Sequence, residues 1–65
     1  MFELEKSFRE KICVARKGTH GEIVDIRTYY LGYNGEFVPS KKGIQIPFED
    51  LETFIADLQN MYNEI

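Results

Sequence analysis

The chain has 65 residues, with eight Lys and Arg against 11 Asp and Glu, one Cys, one His and a net charge of −3. That length predicts a single domain over residues 1–65, and a domain of this size buries only about 60% of the surface its unfolded chain exposes. Cys13 and His20 are too few for an internal disulfide or a four-ligand metal site, which leaves self-association as the means of stabilising so small a core.

Residues 1–11, MFELEKSFREK, alternate charged with apolar side chains and lack the basic start and continuous apolar stretch of a signal peptide. No apolar run approaches the roughly 20 residues of a membrane span. The expectation is a reduced cytoplasmic or nuclear compartment, with no membrane partner. Residues 8–17 read as the first strand, with Phe8, Ile12 and Val14 on one parity and Arg9, Lys11, Cys13, Ala15 and Lys17 on the other. A turn at residues 18–21 is set by Gly18 and Gly21. The next strand, residues 22–30, places Val24, Ile26 and Tyr30 against Asp25, Arg27 and Tyr29. Asn34-Gly35 is a pair favoured where both central turn positions need positive φ, so a second hairpin is expected there. Residues 36–39 form a short third strand closed by Pro39, and residues 41–47 a fourth, with Ile44 and Ile46 on one face and Pro47 as the stop.

From Pro47 the hydrophobic period becomes helical. Phe48, Leu51, Ile55, Leu58, Tyr62 and Ile65 recur at spacings of three and four, and Phe54 and Met61 widen the stripe. Glu49, Asp50 and Glu52 fall in the first turn, where the helix dipole favours carboxylates. The predicted architecture is α+β: a four-stranded antiparallel meander followed by one C-terminal helix, ββββα. One helix covers one face of such a sheet and leaves the other bare. The stripe is longer than a small sheet requires, and its heptad-like spacing predicts that Leu51, Phe54, Ile55, Leu58, Met61 and Tyr62 form a homodimer interface.

Catalysis finds little support. His20 lies in a turn, Cys13 alternates within a strand, and the glycine-rich phosphate-loop and dinucleotide patterns are absent. No cofactor is implied. The charge distribution is more informative. Residues 1–47 hold all eight Lys and Arg against six acids, whereas residues 48–65 hold five acids and no base. The basic part interleaves Arg9, Lys11, Arg16, Lys17, Arg27, Lys41 and Lys42 with Tyr29, Tyr30 and Tyr33. Cations neutralise phosphates and aromatic faces stack bases, which is the mixture that single-stranded nucleic acid requires.

The stretch VDIRTYYLGYNGEFVPSKKGIQI, residues 24–46, followed by an amphipathic helix, resembles the positive cofactor four family of transcriptional coactivators and single-stranded-DNA-binding proteins. The Asp-Ile-Arg start, the aromatic pair, the Gly-Glu turn and the Lys-Lys-Gly-Ile element occur without gaps, and the likeness extends loosely over most of the chain. The resemblance implies a curved four-stranded sheet, a homodimer through the helices, and channels for single strands or opened duplex. It matches Arg16, Arg27, Lys41 and Lys42 to basic binding positions and Tyr30 to base stacking, while Gly43 allows close backbone approach; Lys17, in a hairpin of different length, and Tyr29, beside Tyr30, complete the expected nucleic-acid site. These residues are expected on one ridge on one side of the sheet.

Tyr30 stands where the family usually has tryptophan, Val38 where it often has lysine, and Ser40 where it has glycine. These departures imply weaker binding. The chain resembles the minimal bacterial or phage branch, which implies a nucleoid-associated or host-cytoplasmic setting and roles in replication, recombination or repair as well as transcription. An alternative of another class is a protein-interaction module that recruits polymerase or replication proteins on the same scaffold.

Overall fold

The computed structural model describes residues 1–64. Four strands, β1 (Phe2–Glu5), β2 (Glu10–Lys17), β3 (Ile23–Leu31) and β4 (Phe37–Pro47), precede a 3-10 turn (Phe48–Asp50) and a helix, α1 (Leu51–Asn63). The strands form one open antiparallel sheet in the order β1-β2-β3-β4. The expected ββββα meander is therefore present, but its strands are divided differently.

No separate strand is expected within residues 1–11 from their pattern, yet one forms there. Phe2, Glu3, Leu4 and Glu5 pair with Val14, Cys13, Ile12 and Lys11. The Lys6 and Ser7 N–H groups donate to the Glu10 carbonyl at 3.0 and 3.1 Å and close this hairpin. Four alternating residues lie at the short end of strand lengths, and the edge of β2 is what recruits them. Phe8, expected in the first strand, sits in the turn instead and is 81% exposed. At the other end, the expected third and fourth strands are one continuous strand. Pro39 does not close it, because β4 is an edge strand, where a missing N–H can face solvent.

The joining residues form a bulge. Tyr29 faces Pro39 and Arg27 faces Gly43, so Thr28 alone stands opposite Ser40, Lys41 and Lys42. The first hairpin is as expected, with Gly18 and Gly21 at φ +92° and +68°. In the second, positive φ is confined to Gly35, at +81°, and Asn34 keeps negative φ. The Gly35 N–H donates to the Gly32 carbonyl at 3.1 Å, and Asn34 Oδ1 accepts from the Glu36 N–H at 3.1 Å. A longer loop of this kind needs only one left-handed residue, which Gly35 supplies.

Alternation and register divide the sheet into two chemically distinct faces. One carries Ile12, Val14, Val24, Ile26, Ile44 and Ile46; the other carries Cys13, Ala15, Asp25, Arg27 and Gln45. The helix was expected to cover a face. It continues directly from the 3-10 turn, none of its residues is buried, and the apolar face stays open, with Ile44 53% exposed. Among the described residues, the buried side chains are Cys13, Val24 and Asp25. The Phe48 N–H donates to the Glu22 carbonyl at 2.7 Å and ties the 3-10 turn to the first hairpin. Helical hydrogen bonding proper starts at Leu51, so Glu49 and Asp50 belong to the 3-10 turn and its junction. Ile65, the last residue of the predicted stripe, lies outside the described residues.

Candidate nucleic-acid interface

The residues expected on one ridge are distributed over both faces. Adjacent strand positions point oppositely, so Tyr29 and Tyr30 cannot share a face. Lys17, Arg27, Tyr29 and Gly43 fall on the polar face, whereas Arg16 and Tyr30 fall on the apolar one. Lys41 and Lys42 emerge from the bulge, and both are exposed.

On the polar face the dominant feature is a carboxylate. Asp25 is 2% exposed and accepts from Arg27 Nε at 3.2 Å and Arg27 Nη2 at 3.0 Å, a bidentate pair along one strand. Lys17 Nζ stands 3.5 Å from the same carboxylate, and Gln45 Nε2 donates to it at 3.5 Å. The Arg27 hydrogen bonds hold the Asp25 carboxyl below its ordinary range against the opposing effect of burial, helped by the charges of Lys17 and Arg27 and by Gln45. The same contact raises the Arg27 guanidinium above its usual value. Arg27 Nη1 donates to the Ser40 carbonyl at 2.8 Å, reaching into the bulge.

Gly43 lies directly across from Arg27, and a Cβ there would come within 2.8 Å of Arg27 Cζ and 3.0 Å of the Ile26 carbonyl. The glycine gives this guanidinium room against β4. Within the bulge, the Lys42 N–H donates to Ser40 Oγ at 3.0 Å.

Arg16 is held elsewhere. Its guanidinium lies 3.8 Å from the centre of the Phe48 ring, and Nε donates to the Gly21 carbonyl at 2.9 Å. Lys11 is also engaged, 4.3 Å from the Phe37 ring centre and 2.9 Å from Glu3 Oε1. Among the described residues, no ion pair engages Arg16, Lys41 or Lys42. Tyr30 is 48% exposed, while Tyr29 is half-buried. The arrangement therefore offers three cations without a carboxylate partner and an accessible aromatic ring. The Asp25–Arg27 pair lies on the opposite face from Arg16 and Tyr30. The reading of the residues missed Asp25; an acid two positions before an arginine on a strand, and so on the same face, is the signal that points to it.

The described residues contain no cluster of His, Cys, Asp or Glu suited to a metal ion, and no helix among them is long and apolar enough to cross a membrane. A search of curated proteins finds no match. Two solved structures match closely: the orthorhombic and tetragonal crystal forms of BPSL1147, described as a PC4 homolog from Burkholderia pseudomallei K96243. The first has 29% identity and a TM-score of 0.87, covering 100% of this chain and 89% of that one. The second has 28% identity and a TM-score of 0.83, covering 95% and 93%. The family model for Transcriptional Coactivator p15 (PC4) matches residues 16–56, which run from Arg16 through both faces of β3, the bulge and its lysines into the helix. On that match and this fold, the chain belongs to the PC4 family of DNA-binding, coactivator-like, non-enzymatic proteins.

Proposed function

We propose that residues 1–65 form a single domain that acts as a homodimeric, sequence-tolerant single-stranded-DNA-binding protein, holding or protecting unpaired strands in transcription, replication, recombination or repair. The observation that carries this reading is the β4 bulge, which displays Lys41 and Lys42 outside every ion pair of the described residues. Lys41, Lys42 and Arg16 contact phosphates, and Tyr30, the exposed member of the aromatic pair, stacks a base. Backbone contacts of this kind neutralise charge without reading sequence, and a π-face accepts any base.

The second copy is supported by surface. The chain exposes 5583 Å², against about 4,300 Å² for a typical folded monomer of 7.6 kDa. The difference of about 1,300 Å² exceeds the roughly 800 Å² that one partner buries in an ordinary stable interface. The helix stripe and the aliphatic middle of the open sheet face, around Val14, Ile26 and Ile44, are the surfaces to be covered, with Arg16 and Tyr30 towards opposite ends of that face. Because that assignment uses the helix, the acids on it remain solvated and need no basic protein partner.

The test is fluorescence anisotropy of a labelled mixed-sequence single strand of about 20 nucleotides, with the matching duplex as control, at two salt concentrations. Tighter binding to the single strand with steep salt dependence is the expected result. Absence of binding to either nucleic acid at low salt overturns the reading and moves the search to protein partners.

A further inference from the structure

Arg27 has the position and charge of a phosphate ligand, yet three of its five N–H groups are already engaged within the protein. Two of its nitrogens donate to Asp25 at 3.2 and 3.0 Å, and the third donates to the Ser40 carbonyl at 2.8 Å. Its partner carboxylate is 2% exposed and is approached by Lys17 and Gln45 as well. A guanidinium already neutralised by a carboxylate brings little net positive charge to displace the cations condensed on a phosphate backbone, so its contribution to phosphate binding is small.

What the pair does contact is the bulge. Ser40 is its first residue, and it is held twice: its carbonyl accepts from Arg27, and its hydroxyl oxygen accepts from the Lys42 N–H at 3.0 Å. Gly43 ends the bulge and leaves space for the Arg27 guanidinium, which a Cβ would approach to 2.8 Å. Three unpaired residues opposite one would otherwise be a mobile loop. Here both ends are anchored to β3.

We propose that Asp25 and Arg27 are positioning residues, a clamp that sets the shape of the Ser40 to Lys42 bulge and thereby aims Lys41 and Lys42. The role is defined by its connection to those lysines. It rests on the single-strand reading above for its functional consequence, while its structural part stands independently.

Electrostatics and clamping make opposite predictions for Asp25→Asn. Removing a negative charge beside a polyanion site, and freeing Arg27, strengthens binding if Arg27 is a masked phosphate ligand. If the pair is a clamp, the change replaces an acceptor oxygen by an NH₂ group facing guanidinium donors, releases the bulge and weakens binding.

The experiment measures single-strand affinity and salt slope for wild type, Asp25→Asn, Lys41→Ala/Lys42→Ala and the triple variant. The expected result is a loss of about tenfold for Asp25→Asn in the wild-type background, an ordinary coupling between contacting residues. Its slope falls towards that of the double lysine variant, which itself drops by about 1.4 for two single-strand phosphate contacts. In the Lys41→Ala/Lys42→Ala background the same change has less than about a twofold effect, because the bulge no longer carries a lysine to be aimed. Tighter binding or a steeper slope for Asp25→Asn overturns the proposal, as does an equal loss in both backgrounds, which marks general destabilisation.

Arg27→Lys keeps the charge and loses the fork, so it guards against a misfolded Asp25 variant. Wild-type affinity in Arg27→Lys overturns the clamp. Hydrogen exchange supplies a readout free of DNA: the Lys42 amide exchanges faster in both variants while the Val14 and Ile26 amides keep their protection. Should wild type fail to bind a single strand, the function proposed above falls, and the clamp is judged on exchange alone. Unchanged Lys42 protection in both variants overturns it.

Discussion

At the scale of single residues, charge alone is a poor guide to which cations meet DNA. Lys11, Lys17 and Arg27 each have a carboxylate within 4 Å, whereas Lys41 and Lys42 have none among the described residues. Lys41→Ala is therefore expected to lower the salt slope of single-strand binding by about 0.7, the amount for one phosphate contact. Tyr30→Ala is expected to leave the slope unchanged and cost about 1–3 kcal/mol of affinity, the range for one stacked base. Anisotropy titrations across salt concentrations separate the two effects, and equal slopes for wild type and Lys41→Ala would remove that lysine from the interface. Asp25 carries a pH prediction. Its folded pKa lies below its ordinary value, first through the Arg27 hydrogen bonds. The stabilisation it provides is fully present above its unfolded pKa of about 3.9 and is lost as pH falls through the depressed folded value. The expected outcome is a urea midpoint that declines on acidification below about pH 4, less steeply in Asp25→Asn.

At the scale of elements, the first hairpin is the most tightly specified. Gly18 has φ +92°, and a Cβ there would stand 2.5 to 2.8 Å from the Glu22 carboxyl group. That carboxylate accepts the His20 N–H at 2.7 Å, and hydrogen bonds from the Glu22 and His20 N–H groups hold its pKa below the ordinary value. Gly18→Ala is expected to destabilise the fold by about 1–3 kcal/mol, since it forces a left-handed conformation on a residue with a Cβ and displaces that acceptor. Denaturant unfolding measures this, and an unchanged midpoint would contradict it. The β4 bulge is specified differently. Its shape depends on side chains of β3 and on Gly43, not on the turn residues within it.

At the scale of the whole molecule, an open sheet and a helix without buried residues do not complete a core. The radius of gyration is 13.6 Å, against about 10.7 Å for a compact chain of this length. On the helix, Ile55 is 56% and Met61 63% exposed, while Leu51 and Phe54 are half-buried beside the 3-10 turn. In the proposed dimer, a second copy covering the stripe and the aliphatic middle of the open sheet face would link folding to association. Light scattering is expected to give a dimer at micromolar concentration, with an unfolding midpoint that rises with protein concentration. Leu58→Glu places a charge in the stripe and is expected to shift the population to monomer with a large loss of stability. A stable monomeric wild type would contradict the dimer.

The elements of this protein are largely local in origin, and the sequence determined them. Period-two alternation, glycines at turns and a switch to helical period at Pro47 need no distant partner to act, so both hairpins, β2, β3 and the helix were legible. The family was legible for the same reason, because the residues that carry the resemblance run contiguously from 24 to 46. Tertiary structure decided what depends on pairing. Four residues at the start became β1 because β2 offered an edge, and Pro39 stayed within β4 because that strand is itself an edge. Register placed Tyr30 and Arg16 on the face opposite Arg27, and only the register reveals the bulge that presents the lysines. The Asp25–Arg27–Ser40 connection joins residues 13 positions apart in the chain, so its geometry existed only once β3 and β4 lay side by side.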